Sequence, residues 1–274
     1  MKALALCGLL AAGLVVVGPA RAEKYHCLCI AHRAGASLGP ESTFATLANT
    51  ARVPGVDGIE FDVHKTADGK LIVIHDPTVK RTTNGGDRKV SALTLAQLEA
   101  LDAGSWWDDG RYAGQRLPRP APFIDQILAD GLSPVVELKV GGIEDPIAEM
   151  IRERHAVGRT WIIAFSYHVI EVFGKKYPEF RTTWLVDRNT FKDTTVAAVV
   201  ESATAAGCKG LNSEYRQITP ELVKACHDAG LLILAWTVDK PAEMERLIRL
   251  GVDGITTNRP QDLAKLLRQL NAGA

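Results

Sequence analysis

The sequence predicts an α/β fold, a TIM-type (β/α)8 barrel with a small insertion after its second strand. Short runs rich in Val, Ile and Leu alternate with longer amphipathic stretches, the pattern by which βα units assemble a parallel sheet. The length, 274 residues, is long for an ordinary domain but suits a single barrel of this kind, which uses about 250. Histidines, carboxylates and basic residues stand at the ends of several apolar runs, where such a barrel carries its chemistry.

The first 22 residues read as a leader. Lys2 precedes an apolar run over residues 3–17, Gly18-Pro19 breaks it, and Ala20 and Ala22 supply small residues at the minus-three and minus-one positions of a signal-peptidase site. The run is shorter than the roughly 20 apolar residues of a membrane span, so cleavage after Ala22 and export, to a periplasm or the exterior, are expected. Residues 23–274 then form the barrel domain.

Strands are expected over 27–31, 58–63, 71–74, 133–138, 161–165, 182–186, 209–212, 231–237 and 254–257. That is one more than a barrel closes on. The run at 71–74 follows its predecessor through Ala67-Asp68-Gly69-Lys70, whose Asp-Gly is a hairpin signal, so it is the strand expected outside the barrel. Helical spacing or capping signals fill the gaps at 42–51, 94–101, 123–129, 146–154, 169–176, 194–205, 220–229, 241–250 and 261–269. Thr219-Pro220 places a cap and a first-turn proline, and Gly230 and Gly251 close their helices. Residues 76–122 are the one irregular stretch, with Asn84-Gly85-Gly86, the Trp106-Trp107 pair and Pro118, Pro120 and Pro122. Too long for an ordinary βα loop, it reads as an insertion covering the barrel mouth.

Composition narrows the partners. The 32 basic and 32 acidic residues balance, and no basic block is interleaved with aromatics as a nucleic-acid groove requires. Loss of the leader removes only Lys2 and Arg21 from this balance, which leaves no electrostatic pull toward membranes. Small-molecule chemistry is the expectation, with no nucleic acid and no stable membrane insertion; the oligomeric state is left open. Cys27, Cys29, Cys208 and Cys226 could form disulfides in an oxidising compartment or serve as small core hydrophobes, and the sequence does not choose.

The chemistry concentrates in two segments. Ala31-His32-Arg33 ends the first strand, and about thirty residues on Gly58-Ile59-Glu60-Phe61-Asp62-Val63-His64 runs toward Ile74-His75-Asp76. Glu60 and Asp62 are two apart on a strand, so both point to one side, where their oxygens can share a divalent cation. Glu137 and Lys139 repeat that spacing in Val135-Val136-Glu137-Leu138-Lys139. Three carboxylates suit Mg²⁺ or Ca²⁺ better than zinc. Two histidines beside them make an acid/base site acting on an anion. Each group also has a structural reading, as a solvated strand end or an ion pair within the barrel; their joint occurrence at strand ends favours convergence. Glu41 could hold Arg33 or cap the following helix, Trp236 could line the pocket or the barrel rim, and His64 reads as a solvated loop histidine beyond the strand end.

These motifs resemble the glycerophosphodiester phosphodiesterase family over nearly the whole chain after the leader. The family's His-Arg-Gly and Pro-Glu-Asn-Thr are similar to His32-Arg33-Ala34-Gly35 and Pro40-Glu41-Ser42-Thr43. The stretch from Gly55-Val56-Asp57-Gly58 through His75-Asp76-Pro77 to Arg81-Thr82-Thr83-Asn84-Gly85 resembles it closely. So do Glu137-Leu138-Lys139, Trp236-Thr237-Val238-Asp239 and the run Gly251-Val252-Asp253-Gly254-Ile255-Thr256-Thr257-Asn258.

The resemblance implies a TIM barrel with one divalent ion, Ca²⁺ or Mg²⁺, on Glu60, Asp62 and Glu137. His32 and His75 would be the general acid/base pair, without an order between them, and Arg33 and Lys139 would face the phosphate. The reaction implied is attack of the glycerol hydroxyl on phosphorus, releasing an alcohol and a cyclic phosphate that water opens to glycerol phosphate. The chain departs from the family at Ala34, which intrudes before Gly35, and at Ser42, which replaces asparagine. Asn258 stands where aspartate is commoner, Asp239 where asparagine is, and residues 118–126 match only loosely. Two other readings remain. A phospholipase D acting on lysophospholipids or sphingolipids would want an apolar trough, for which Trp106-Trp107 is the candidate. A non-catalytic barrel binding protein would have lost one of His32, His75, Glu60, Asp62 or Glu137, and all five are present.

Overall fold

Eight parallel strands close into a ring in the computed structural model, which describes residues 25–273; the expected leader lies outside the described residues. The strands are β1 (Leu28–Ala31), β2 (Gly58–Lys65), β3 (Leu71–Val73), β4 (Ser133–Leu138), β5 (Trp161–Ala164), β6 (Arg181–Val186), β7 (Gly210–Glu214), β8 (Leu232–Trp236) and β9 (Gly254–Thr257). The order around the ring is β1-β9-β8-β7-β6-β5-β4-β2, and pairing of Ile30 with Gly58 and Ala31 with Ile59 closes it. β3 is the extra strand. It pairs antiparallel with the carboxyl end of β2, Val63 opposite Val73 and Lys65 opposite Leu71, through a turn in which Gly69 takes φ 72°.

Side-chain alternation sorts the strands into two faces. Ile30, Val135, Ile163, Leu185 and Leu234 point inward and fill the lumen, while their neighbours point outward to the helices. Phe61 is an outward residue, fully buried and edge-on to Phe123 at 5.2 Å between ring centroids. Phe123 belongs to the helix Pro120–Ala129, which starts three residues before its predicted position because Pro120 occupies the first turn. The insertion builds a satellite core of its own, with Ile72, Ile74, Val79, Val90, Leu98 and Leu117. It is tied to the carboxyl end of β2 through β3.

Two strands run two residues past their expected carboxyl ends. β2 runs on to Lys65 because β3 supplies hydrogen-bond partners past Val63, and β7 runs on to Glu214 alongside Trp236 of β8. The four cysteines among the described residues, Cys27, Cys29, Cys208 and Cys226, are free thiols. Cys29, Cys208 and Cys226 are buried, and burial pushes each of their thiols up to about 12, so they serve as small core hydrophobes.

Phe61 pins β2 to the helical layer between the two inward carboxylates, Glu60 and Asp62. Phe61→Ala is expected to cost about 3–5 kcal/mol of stability, read as a fall in the denaturant midpoint.

Candidate active site

Inward parity delivers the carboxylates. Glu60 and Asp62 sit on β2 two residues apart, and Asp62 lies opposite Glu137 of β4. One oxygen from each of the three lies within 4.8 Å of the others, and all three residues are buried. Lys139 Nζ stands 2.7 Å from Glu137 Oε1 and 3.3 Å from Asp62 Oδ1, and the Arg33 backbone N–H donates to Glu60 Oε2 at 2.7 Å. Glu60 Oε1 and both Asp62 oxygens accept no hydrogen bond from the protein.

The electrostatics follow from this crowding. Burial, then repulsion from Asp62, pushes both Glu60 and Glu137 well above the ordinary carboxylate range. Burial acts on Asp62 in the same sense, but Lys139, His75, His32 and Arg33 outweigh it and hold Asp62 below that range. Burial also disfavours the Lys139 ammonium, yet Asp62 and Glu137 prevail and raise it. A buried cluster of hard carboxylate ligands, three of whose oxygens accept no protein hydrogen bond, fits a hard divalent cation.

His32 is presented by a tight turn after β1. Arg33 and Ala34 take φ 50° and 64°, left-handed values that cost a residue with a Cβ roughly 1–2 kcal/mol each. Bonds from Gly35 N to His32 O and from Ser42 N to Arg33 O hold the turn, and with it the aim of the Arg33 N–H at Glu60. Ser42 is also left-handed, φ 56°. Two of the departures from the family pattern, Ala34 and Ser42, thus fall where glycine or asparagine is at ease.

The other two departures meet behind His32. Asp239 accepts from Thr257 Oγ1 at 3.0 Å, from Asn258 N at 2.9 Å and from Asn258 Nδ2 at 2.7 Å. An ionised carboxylate only accepts, so the Asn258 amide must turn its NH₂ to Asp239 and its oxygen to His32. Asn258 Oδ1 is 2.7 Å from His32 Nδ1 and can only accept, which places the proton on Nδ1 and leaves a lone pair on Nε2. Burial, then Arg33, lowers the His32 imidazole to about 4, so it is neutral at neutral pH.

His75 has a charged partner instead. Its Nδ1 is 2.8 Å from Asp76 Oδ1, and Arg81 donates from Nε to Asp76 Oδ2 at 2.7 Å and from Nη2 to Oδ1 at 2.8 Å. Arg81 also grips both oxygens of Glu41 at 2.8 Å, and Glu41 in turn lies 3.2 Å from Arg33 Nη1. The Arg81 guanidinium holds the Asp76 carboxyl far below its usual range. Burial disfavours the charged form of His75 and lowers it, against the opposing pull of Asp62 and Asp76.

The groups face a cavity of about 130 Å³. His32, Arg33, Glu60, His75, Glu137, Lys139 and Trp236 all line it; Asp62 is buried next to them, and Glu41 stands behind Arg33. The rest of the lining is largely apolar, made by Ile163, Phe165, Leu185 and Trp236, whose ring meets Phe165 edge-on at 5.2 Å. His64 is a correction. It lies within β2, is buried, and donates from Nε2 to the His75 carbonyl at 3.1 Å, because the β2–β3 ladder extends past the strand end read from the sequence. Arg81, Asn212, Thr256 and Phe165 were not singled out in the sequence. Period-two parity turns Asn212 and Thr256 inward without marking them as functional; nothing local marks Arg81 as the link between two functional groups.

A sequence model of the glycerophosphoryl diester phosphodiesterase family matches residues 32–262. A glycerophosphodiester phosphodiesterase of Caldanaerobacter subterraneus is 35% identical over 247 residues, covering 88% of this chain and 98% of that protein. The crystal structure of a glycerophosphodiester phosphodiesterase from Agrobacterium tumefaciens superimposes with a TM-score of 0.74 at 29% identity, over 87% of this chain and 99% of that one. A phosphodiesterase of Oleispira antarctica, in complex with the product sn-glycerol-3-phosphate, gives 0.79 at 25% identity, over 89% and 98%.

Arg81→Met removes the common partner of Asp76 and Glu41 and is expected to lower kcat about 10–100-fold with the thermal midpoint little changed. Glu60 and Glu137 keep protons in the metal-free fold that the unfolded chain gives up near the ordinary glutamate value of 4.5. Their contribution to stability therefore falls as pH rises above 4.5, for Glu137 over the range up to about 7. Cation binding at neutral pH should release protons, measured by calorimetry in two buffers of different ionisation enthalpy.

Proposed function

The chain belongs to the glycerophosphoryl diester phosphodiesterase family, and from that membership we propose that it hydrolyses glycerophosphodiesters to glycerol phosphate and a free alcohol, using one Ca²⁺ or Mg²⁺ ion. The observation that carries this reading is the acidic cluster itself: three buried carboxylates within 4.8 Å, in one cavity with two imidazoles, a guanidinium and an ammonium. The glycerol phosphate held by the Oleispira relative supports the product assignment.

Glu60, Asp62 and Glu137 are the residues to hold the cation, which when bound supplies positive charge to the phosphoryl oxygens. Arg33 and Lys139 add their own charge and fix the phosphate in the cavity. His32 Nε2 carries the lone pair and is the general base, taking the proton from the glycerol hydroxyl beside the phosphate as its oxygen attacks phosphorus. His75 is the general acid. Asp76 at Nδ1, together with Asp62, opposes the burial that disfavours its charged form, and from the imidazolium Nε2 gives its proton to the departing alcohol. In the second step the roles reverse as water opens the cyclic phosphate, and both histidines return to their starting states.

The cavity's small volume supports a compact diester over one that threads an acyl chain through the barrel. Export belongs to the same proposal and rests on the leader sequence, with Glu23 as the first residue after cleavage.

The test is release of glycerol phosphate from glycerophosphocholine and glycerophosphoethanolamine, with lysophosphatidylcholine as the competing substrate. Chelation should abolish the activity and Ca²⁺ or Mg²⁺ restore it; full rate after thorough metal removal overturns the carboxylate assignment. His32→Ala and His75→Ala should each lose about 10²–10⁴ in kcat. Asp239→Asn frees the Asn258 amide to flip, so kcat should fall at least about tenfold with KM nearly constant.

A further inference from the structure

The lining of the cavity beyond the acidic cluster has an anomaly. Asn212 on β7 is 1% exposed, points inward beside Leu185 and Leu234, and its buried amide oxygen accepts no hydrogen bond from the protein. Thr256 on β9, inward opposite Ile30 and 3% exposed, has a hydroxyl in the same condition. Both line the catalytic cavity. A buried amide oxygen without a partner is destabilising, and leucine or valine would fill such a position at lower cost. The register around them shows that choice made, with Leu185 and Leu234 as the neighbours of Asn212.

The chemistry of the pair defines what they bind. An amide and a hydroxyl each donate and accept without charge, which matches an alcohol hydroxyl, itself both donor and acceptor; a phosphate is better met by a cation. Every cationic group lining the cavity, Arg33 and Lys139, lies with the acidic cluster instead. Position then selects which part of the substrate is read. Phe165, 45% exposed, marks the open side of the cavity, while Asn212 and Thr256 are sealed in the lumen. A leaving alcohol of any size must extend through the open side, so the closed end receives the small, constant part of the diester. Of its two free hydroxyls, the one beside the phosphate ester is committed to phosphorus. We propose that Asn212, with Thr256, forms a subsite for the remaining glycerol hydroxyl and so selects a glycerol-type polyol phosphate; this rests on the phosphodiesterase reading above.

The indole of Trp236 reinforces the subsite. Its Nε1–H donates to the Asn212 carbonyl at 2.9 Å, which fixes the aromatic wall against the strand that carries the amide. The carbon face of glycerol would then pack on the indole while its hydroxyl turns to the amide. An analogue without that hydroxyl would leave the amide oxygen buried and unpaired, which is how a polar site rejects such a ligand.

The test uses the metal-loaded enzyme with Asn212→Leu and, as a near-isosteric second variant, Thr256→Val. Competitive inhibition by sn-glycerol 3-phosphate is measured beside inhibition by inorganic phosphate, which has the anion but no glycerol. Each variant is expected to weaken glycerol phosphate about 3–10-fold, leave phosphate unchanged, and melt at the wild-type temperature or above it. An unchanged ratio of the two inhibition constants in both variants overturns the subsite. Equal weakening of both inhibitors together with a lower melting temperature also overturns it, by showing a structural role. Wild-type enzyme that neither hydrolyses glycerophosphodiesters nor binds glycerol phosphate would instead sink the phosphodiesterase reading on which the subsite rests.

Discussion

Repulsion among Glu60, Asp62 and Glu137 is the constraint on which the rest of the site depends. Three carboxylates buried within 4.8 Å, with Lys139 as their ammonium partner, would not persist unless the fold over-determined their positions. The barrel does so by register. β2 and β4 are adjacent parallel strands with Asp62 opposite Glu137, and Phe61 anchors the segment from the other face against Phe123. Moving either strand by one residue would turn the carboxylates outward into the helical layer.

That electrostatic centre organises its surroundings. The left-handed turn at Arg33 and Ala34 is a local cost that turns a backbone N–H onto Glu60 and brings His32 to the same cavity. The histidines then differ by what stands behind them. His32 has a neutral amide whose orientation Asp239 dictates, while His75 has a carboxylate clamped by Arg81. Two chemically identical side chains thereby each direct Nδ1 to an oxygen acceptor, one neutral and one charged. Glu41 and Arg81 make the second arrangement continuous with Arg33, so Arg33 and His75 share one ion-pair network.

Much of the fold was legible because barrel units are local. Val-, Ile- and Leu-rich runs marked the ring strands, and Asp68-Gly69 marked β3 as a hairpin strand outside it. The strand ends were less legible, since a strand stops where its neighbour stops pairing. β2 continues through His64 because β3 is there to receive it, and for that reason a histidine read as a loop residue is buried and bonded to the His75 carbonyl. The metal-site carboxylates were visible through their period-two spacing. Asn212 follows the same parity but carries no charge, and a lone amide in a strand has no sequence signature of its own.

Sequence by itself determined the inventory and its facing: which carboxylates share a side of β2, which histidines end apolar runs, and that Glu137 and Lys139 repeat the pattern. These are properties of spacing along one strand, set by backbone geometry. Only the tertiary structure decided the proton positions and the hidden partners. The tautomer of His32 depends on Asp239 and Asn258, which lie more than two hundred residues away in the chain and reach it because β9 closes the ring against β1. Hydrogen-bond direction is a property of groups meeting across strands, and no pattern within a strand encodes it.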